Sequence, residues 1–211
     1  MEQNQVYGVT TPLVTKSDGT KFGKTETGTV WVSANMTSPY ALYQFWLNVA
    51  DADVYRYLKF YSFLSVSEIE EIEQSDKSSQ GRREAQGILA AEVTKLLHGV
   101  PGLTAAKRIS DALFSGNIAQ LTNEDLDQLE LDGLPCTVFA GGNKGIVEVL
   151  VDTGLAKSNK MAREFIGNNA INVNGQLVDS VNFELDVSNA LNGKYFLLKR
   201  GKKLFHLAKF E

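Results

Sequence analysis

Little in this 211-residue sequence can form a cross-link or hold a metal. A single cysteine, Cys136, excludes a disulfide framework and a cysteine metal site. The two histidines, His98 and His206, are too far apart to have ligand-like spacing, so no metal site is expected. No stretch approaches the ~20 apolar residues of a membrane helix. Residues 1–14 lack the basic start and apolar run of a leader. The expected compartment is the cytoplasm, with no membrane partner. Internal repeats and low-complexity segments are absent. So is an excess of positive charge: 21 Lys and Arg face 25 Asp and Glu, a net of −4. That excludes a uniformly basic nucleic-acid coat but leaves room for a local patch.

What is present suits one or two folded domains: 43% hydrophobic and 22% charged residues. The charge is divided unevenly. Residues 147–211 carry nine Lys or Arg against seven Asp or Glu, a net of +2, which leaves −6 elsewhere. The last 18 residues alone carry +5, which points to an anionic partner at that end.

The patterning runs from strand to helix and back. VYGVTTPLVT (6–15) and TVWVS (29–33) read as strands. From Ser38, an N-cap followed by Pro39, the periodicity is helical. Tyr40, Tyr43, Trp46 and Leu47 form one stripe, and Tyr57, Phe60, Tyr61 and Leu64 a second. Both read as core rather than as base-stacking platforms. A third helix follows with Ser67 and Glu70 at capping-box spacing, a fourth ends at Gly99, and a fifth spans 103–116. A short sixth has Thr122 and Asp125 at capping spacing. LPCTVFAGGNKG (134–145), broken by proline and three glycines, reads as a linker. Two short helices, a strand ending at the Asn174-Gly175 turn, and apolar–basic strands turning at Arg200-Gly201 complete a small α+β unit. His98 reads as a helix-end residue, His206 as structural, and Lys107 and Arg108 as a solvated helix face with an RNA contact as the alternative.

The stretch TKSDGTKFGKTETG (15–28) fits neither periodicity. It holds three lysines, three glycines and five threonines or serines around Phe22. Lys21 and Lys24, three apart with Gly23 between them, can wrap a polyphosphate, and Thr25 adds a hydroxyl donor. The Walker spacing fails, because Gly19 and Gly23 are four apart and no helix follows.

KFGKT (21–25) resembles the KMSKS-type signature of class I aminoacyl-tRNA synthetases, in the form carried by bacterial tyrosyl-tRNA synthetases. TSPYALYQFWLNVADADVYRYLKFYSFLS, LLHG and AAKRISDALFSG are similar to that family in the same order. SNKMAREFI (158–166) followed by NNAINVNG (168–175) resembles its alpha-L type RNA-binding domain. The resemblance covers essentially the whole chain. It implies a mainly α fold with a small α+β C-terminal domain and a strand–loop–strand remnant of an α/β catalytic domain. The expected divisions are 1–35, the end of the catalytic domain; 36–135, a helical anticodon-arm-binding domain; 136–146, a linker; and 147–211, the alpha-L type domain.

The roles are likewise those of the resemblance. Lys21, Lys24 and Thr25 would stabilise the pyrophosphate leaving ATP, and Lys21, Phe22, Gly23, Lys24 and Thr25 would line the ATP site. Lys16 reads less clearly, as a solvated turn residue. Lys157, Lys160, Arg163, Lys199, Arg200, Lys202 and Lys203 would hold tRNA-Tyr through its anticodon and variable arms, with Asn168-Asn169 as further turn-borne contacts. Asn159 departs from the arginine frequent in that helix. ATP is expected as substrate, with Mg2+ in the full enzyme and no tightly bound cofactor here. No H-x-G-H occurs, and the family's nucleotide fold is expected to precede Val6. The chain therefore reads as a cut C-terminal half, inactive without the N-terminal catalytic half. A monomer is expected for the fragment and a homodimer for the full enzyme, with the loop displaced or disordered without ATP. A free-standing RNA-binding protein is the alternative; a nucleotide enzyme of another class ranks below it.

Overall fold

The computed structural model describes residues 7–25, 28–78 and 83–211; for Lys24 and Thr25 the description is of the backbone alone. The architecture is mainly helical, followed by a small mixed sheet with two helices. Among the described residues before the helices, the only strands are two of two residues each, β1 (Lys24–Thr25) and β2 (Gly28–Thr29), paired antiparallel. The described part of 6–15 is not a strand, and 29–33 is strand only at Thr29. Most of their apolar side chains face solvent, Tyr7 at 83% exposed, and only Val14 and Val30 pack against the helical core. A strand without a paired neighbour has no ladder to hold it.

Helix α1 (Pro39–Leu47) starts where expected, with the Ser38 hydroxyl accepting from the Ala41 N–H at 3.1 Å. It buries Tyr40, Leu42, Tyr43 and Trp46. Helix α2 (Asp51–Tyr61) buries Val54, Tyr57 and Leu58, whereas Phe60 is 56% exposed and Leu64 lies beyond the helix end. The 3.6-residue period places Tyr57 and Tyr61 on the core side and turns Phe60 out. Helix α3 (Val66–Ser78) is capped two residues earlier than the Ser67–Glu70 spacing suggests. Glu68 Oε2 accepts from the Ser65 N–H at 2.7 Å, and the Ser65 hydroxyl accepts from the Glu68 N–H at 3.3 Å.

The fourth and fifth expected helices form one broken element, α4 (Glu84–Ser115), interrupted only at Gly99 (φ 68°, ψ −176°). Gly99 does stop the first arm. Pro101, suited to a first helical turn, lets the second arm begin at once. Gly116 (φ 81°) ends α4 in a left-handed cap. Helix α5 (Asn123–Gln128) has the expected capping box between Thr122 and Asp125 and runs into a single π-helical turn, Leu129–Gly133.

The stretch read as a linker supplies a strand instead. β3 (Cys136–Phe139) pairs in parallel with the last strand, β9 (Leu204–Phe210). The two-residue pair of β4 (Lys144–Gly145) and β7 (Glu184–Leu185) stands apart. Helices α6 (Ile146–Asp152) and α7 (Asn159–Gly167) precede β5 (Ile171–Val173), β6 (Gln176–Leu177) and β8 (Tyr195–Arg200). The five-stranded sheet has the order β3-β9-β8-β5-β6. The Asn174-Gly175 turn appears as read, with positive φ at both residues.

β8 shows how the two parts join. Its Tyr195, Phe196, Leu197 and Leu198 are all buried, because both faces of the sheet are covered. Phe196 and Leu198 pack with α6 and α7 through Val149, Leu150 and Ile166. Tyr195 and Leu197, with Leu207, share a core with Tyr40, Ile109, Ile118 and Leu129 of the helical part. The sheet is therefore packed onto the helices through a continuous apolar contact.

Candidate phosphate loop and nucleic-acid interface

The loop around Phe22 is built from two short turns. In the first, Thr15 forms a β-bridge with Lys21, and the Lys16 N–H donates to the Thr20 carbonyl at 2.8 Å. Asp18 accepts from the Thr20 N–H at 2.8 Å and its hydroxyl at 2.6 Å, and these bonds hold the Asp18 carboxyl below the usual carboxylate range. The second is the β1–β2 pair, whose connecting residues 26–27 lie outside the described residues. Gly23 (φ 86°) sits between them, in a conformation that suits glycine.

Phe22 joins the loop to the helices. Its ring lies 4.6 Å from Tyr57, 5.2 Å from Trp46, 5.6 Å from Phe45 and 5.8 Å from Tyr61, centroid to centroid. These distances suit tilted aromatic packing. Phe22, placed by sequence in the ATP site, thus has its ring engaged by the helical part, while Lys21 beside it is exposed. The side chains of Lys24 and Thr25, the other residues assigned to phosphate, lie outside the described features.

The base of the loop is held by polar contacts that sequence reading missed. Arg56 donates to the Thr15 carbonyl and pairs with Asp53 at 2.9 Å. The Tyr57 hydroxyl donates to the same carbonyl at 3.2 Å, and the Ser17 hydroxyl to Asp53 at 3.2 Å. Only the i,i+3 spacing of Asp53 and Arg56 hinted at this. Between loop and helices lies a cavity of about 1050 Å³, lined in part by Lys16, Asp18, Phe22, Gln44, Asp53 and Asp132.

The second candidate site lies on the C-terminal unit. Helix α7 is capped by the Ser158 hydroxyl, which accepts from the Met161 N–H at 3.3 Å. The far end of α7 meets the β8–β9 turn where the Gly201 N–H donates to the Ala170 carbonyl at 2.8 Å. That contact brings Asn168-Asn169 and Arg200-Gly201 together. Arg200 is itself half-buried: its guanidinium lies 4.9 Å from the centre of the Phe165 ring and donates to the Leu155 carbonyl. It therefore ties the α6–α7 connection, α7 and β8 together. Lys199 is also engaged, over the Phe205 ring at 5.1 Å. Lys157, Lys160, Arg163, Lys202 and Lys203 are exposed and make no ion pair among the described residues. These five remain available to an anion.

Arg108 is different. It makes a bidentate pair with the buried Asp125, at 2.6 and 2.8 Å, so it is not a solvated helix residue. No group of three or more His, Cys, Asp or Glu among the described residues could hold a metal ion. No helix among them is long and apolar enough to cross a membrane.

Two family models match the sequence. Residues 1–115 match the class I tRNA synthetases for tryptophan and tyrosine, and residues 125–208 match a tyrosine–tRNA ligase SYY-like C-terminal domain. A tyrosine–tRNA ligase of Aliivibrio fischeri (strain MJ11) is 61% identical over 207 residues, which are 98% of this chain and 49% of the relative. That of Chromobacterium violaceum is 53% identical over 211 residues, 100% of this chain and 50% of the relative. The chain thus spans about half the length of the curated relatives it matches. A solution structure of a tyrosyl-tRNA synthetase C-terminal domain is 39% identical and wholly covered, over 47% of this chain, with a TM-score of 0.38.

Proposed function

Because the chain belongs to the class I tyrosyl-tRNA synthetase family, we propose that it is the tRNA-binding portion of a tyrosine–tRNA ligase. The complete reaction joins tyrosine to tRNA-Tyr at the expense of ATP, through tyrosyl-adenylate, releasing AMP and pyrophosphate. This portion supplies two functions: it holds the anticodon and variable arms of the tRNA, and it carries the loop that meets the pyrophosphate.

The observation that carries the reading is the unpaired basic set on the C-terminal unit. Lys157, Lys160, Arg163, Lys202 and Lys203 are solvent-facing, while Arg200 fastens the elements that bear them. Lysines so placed bind phosphates and set the register of an RNA; bases exposed in loops supply the sequence signal. Lys199 and Arg200 contribute mainly by holding this surface in shape.

In the loop, Lys21 meets the charge that develops as the α-phosphate is attacked and pyrophosphate departs. Binding that strengthens in the transition state raises the rate. Lys24 and Thr25 act with it. Mg2+ would accompany ATP as the counter-ion of its phosphates. Activation of tyrosine requires the remainder of a full-length ligase, working in the cytoplasm as a homodimer; this chain alone is a monomer without activity.

Nuclease footprinting of tRNA-Tyr tests the binding assignment: the anticodon and variable arms should be protected by this chain, and protection of neither contradicts it. Tyrosine-dependent ATP–pyrophosphate exchange by the pure chain would contradict the assignment of inactivity.

A further inference from the structure

Lys21 is exposed, and its reach to a phosphate depends on where the base of its loop is anchored. Two neighbours fix that backbone: Thr15, its β-bridge partner, and Phe22, the next residue. One helical side chain touches both. Tyr57, 1% exposed on α2, packs its ring 4.6 Å from the Phe22 ring. Its hydroxyl reaches back 3.2 Å to the Thr15 carbonyl. Arg56 shares that carbonyl and lies over the Tyr57 ring at 5.4 Å, so the two donors form one clasp.

We propose that Tyr57 is the positioning residue for Lys21: it holds the first turn of the loop at both ends, Thr15 by a hydrogen bond and Phe22 by ring packing, and so sets where the lysine stands. A buried tyrosine hydroxyl needs a partner, and this one takes it from the loop rather than from the helices, which couples α2 to Thr15. Tyr57 touches neither the phosphate nor any reacting atom; it acts through Thr15, Phe22 and Lys21. The proposal rests on the phosphate reading of the loop.

The test compares this chain with its Tyr57→Phe variant, which keeps the ring and removes the hydroxyl, and with Phe22→Leu, a loop substitution that leaves α2 intact. Two readouts are taken: amide exchange at Lys16 and Lys21–Gly23, and the protection of Lys21 from acylation by inorganic tripolyphosphate. Losing one hydrogen bond from the clasp should speed exchange at those amides about tenfold. Protection should then need several-fold more tripolyphosphate, while exchange in α1 and α4 stays as in the parent. Unchanged loop exchange in both variants overturns the positioning role. Failure of tripolyphosphate to protect Lys21 in the parent instead overturns the phosphate reading, and the exchange comparison still decides the clasp.

Discussion

Lys209 Nζ lies 2.7 Å from Glu130 Oε1, joining the last strand to the π-helical turn of the helical part. The Tyr195 hydroxyl donates to the other carboxylate oxygen of Glu130. One carboxylate thus ties two neighbouring strands to the turn that follows α5. Two residues further on, Asp132 accepts from the Ser38 N–H at 3.0 Å, at the start of α1. The π turn therefore touches both α1 and the sheet.

Burial works to raise the Glu130 carboxyl, but the hydrogen bonds from Lys209 and Tyr195 hold it below the usual glutamate value of 4.5. The bond to Glu130, with a second to Glu211, pushes Lys209 up. A depressed carboxylate contributes stability that is present above its unfolded pKa and is lost as pH falls through the folded one. Glu130→Gln should lower the melting temperature by several degrees at neutral pH. It should also flatten the pH dependence of stability below about 4.5, as thermal melts across that range will show.

Gly175 marks a second close approach. A methyl group there would drive into the Gly116 carbonyl oxygen at the end of α4, and its φ of 82° disfavours any side chain. Gly175→Ala should cost on the order of 2 kcal/mol, read as a shift in the urea midpoint. Ala at Gly154 (φ 73°), where nothing lies within 4 Å, should cost less. Equal costs at the two positions would mean that backbone strain alone is involved.

The two histidines predict an acid-side loss of stability. Burial lowers the pKa of both His98 and His206. His206 Nε2 lies 2.8 Å from the Thr137 hydroxyl, and His98 Nε2 is buried without a hydrogen-bond partner. The unfolded chain binds protons more readily than the native one, so stability should fall as pH drops below the ordinary histidine value of 6.5. Replacing both with glutamine should remove the slope between pH 6.5 and the folded-state values, measured by urea unfolding at several pH values.

Local chemistry was legible in the sequence. Ser38 with Pro39, Thr122 with Asp125 and Asn174 with Gly175 each specify their structure within four residues, and each appears as read. Features set by distant partners were not. Cys136–Phe139 lies among Pro135, Gly141 and Gly142, and only β9, some seventy positions later, makes it a strand. Arg200 looks like one surface cation among several until Phe165 and Leu155 are brought beside it. The clasp on Thr15 needs α2 folded against the loop, so no motif announces Arg56 or Tyr57. Of the candidate sites, residue types were readable, whereas the division into exposed cations and the engaged Lys199 and Arg200 was not.

The most direct measurement is binding of tRNA-Tyr by this chain across a salt series, beside a Lys202→Ala/Lys203→Ala variant. Each lost phosphate contact should reduce the slope of log affinity against log salt by roughly 0.7 to 0.9. The account predicts weaker binding and a shallower slope for the variant, with an unchanged melting temperature. Binding with the same affinity and slope as the parent, or no binding by either protein, would contradict it.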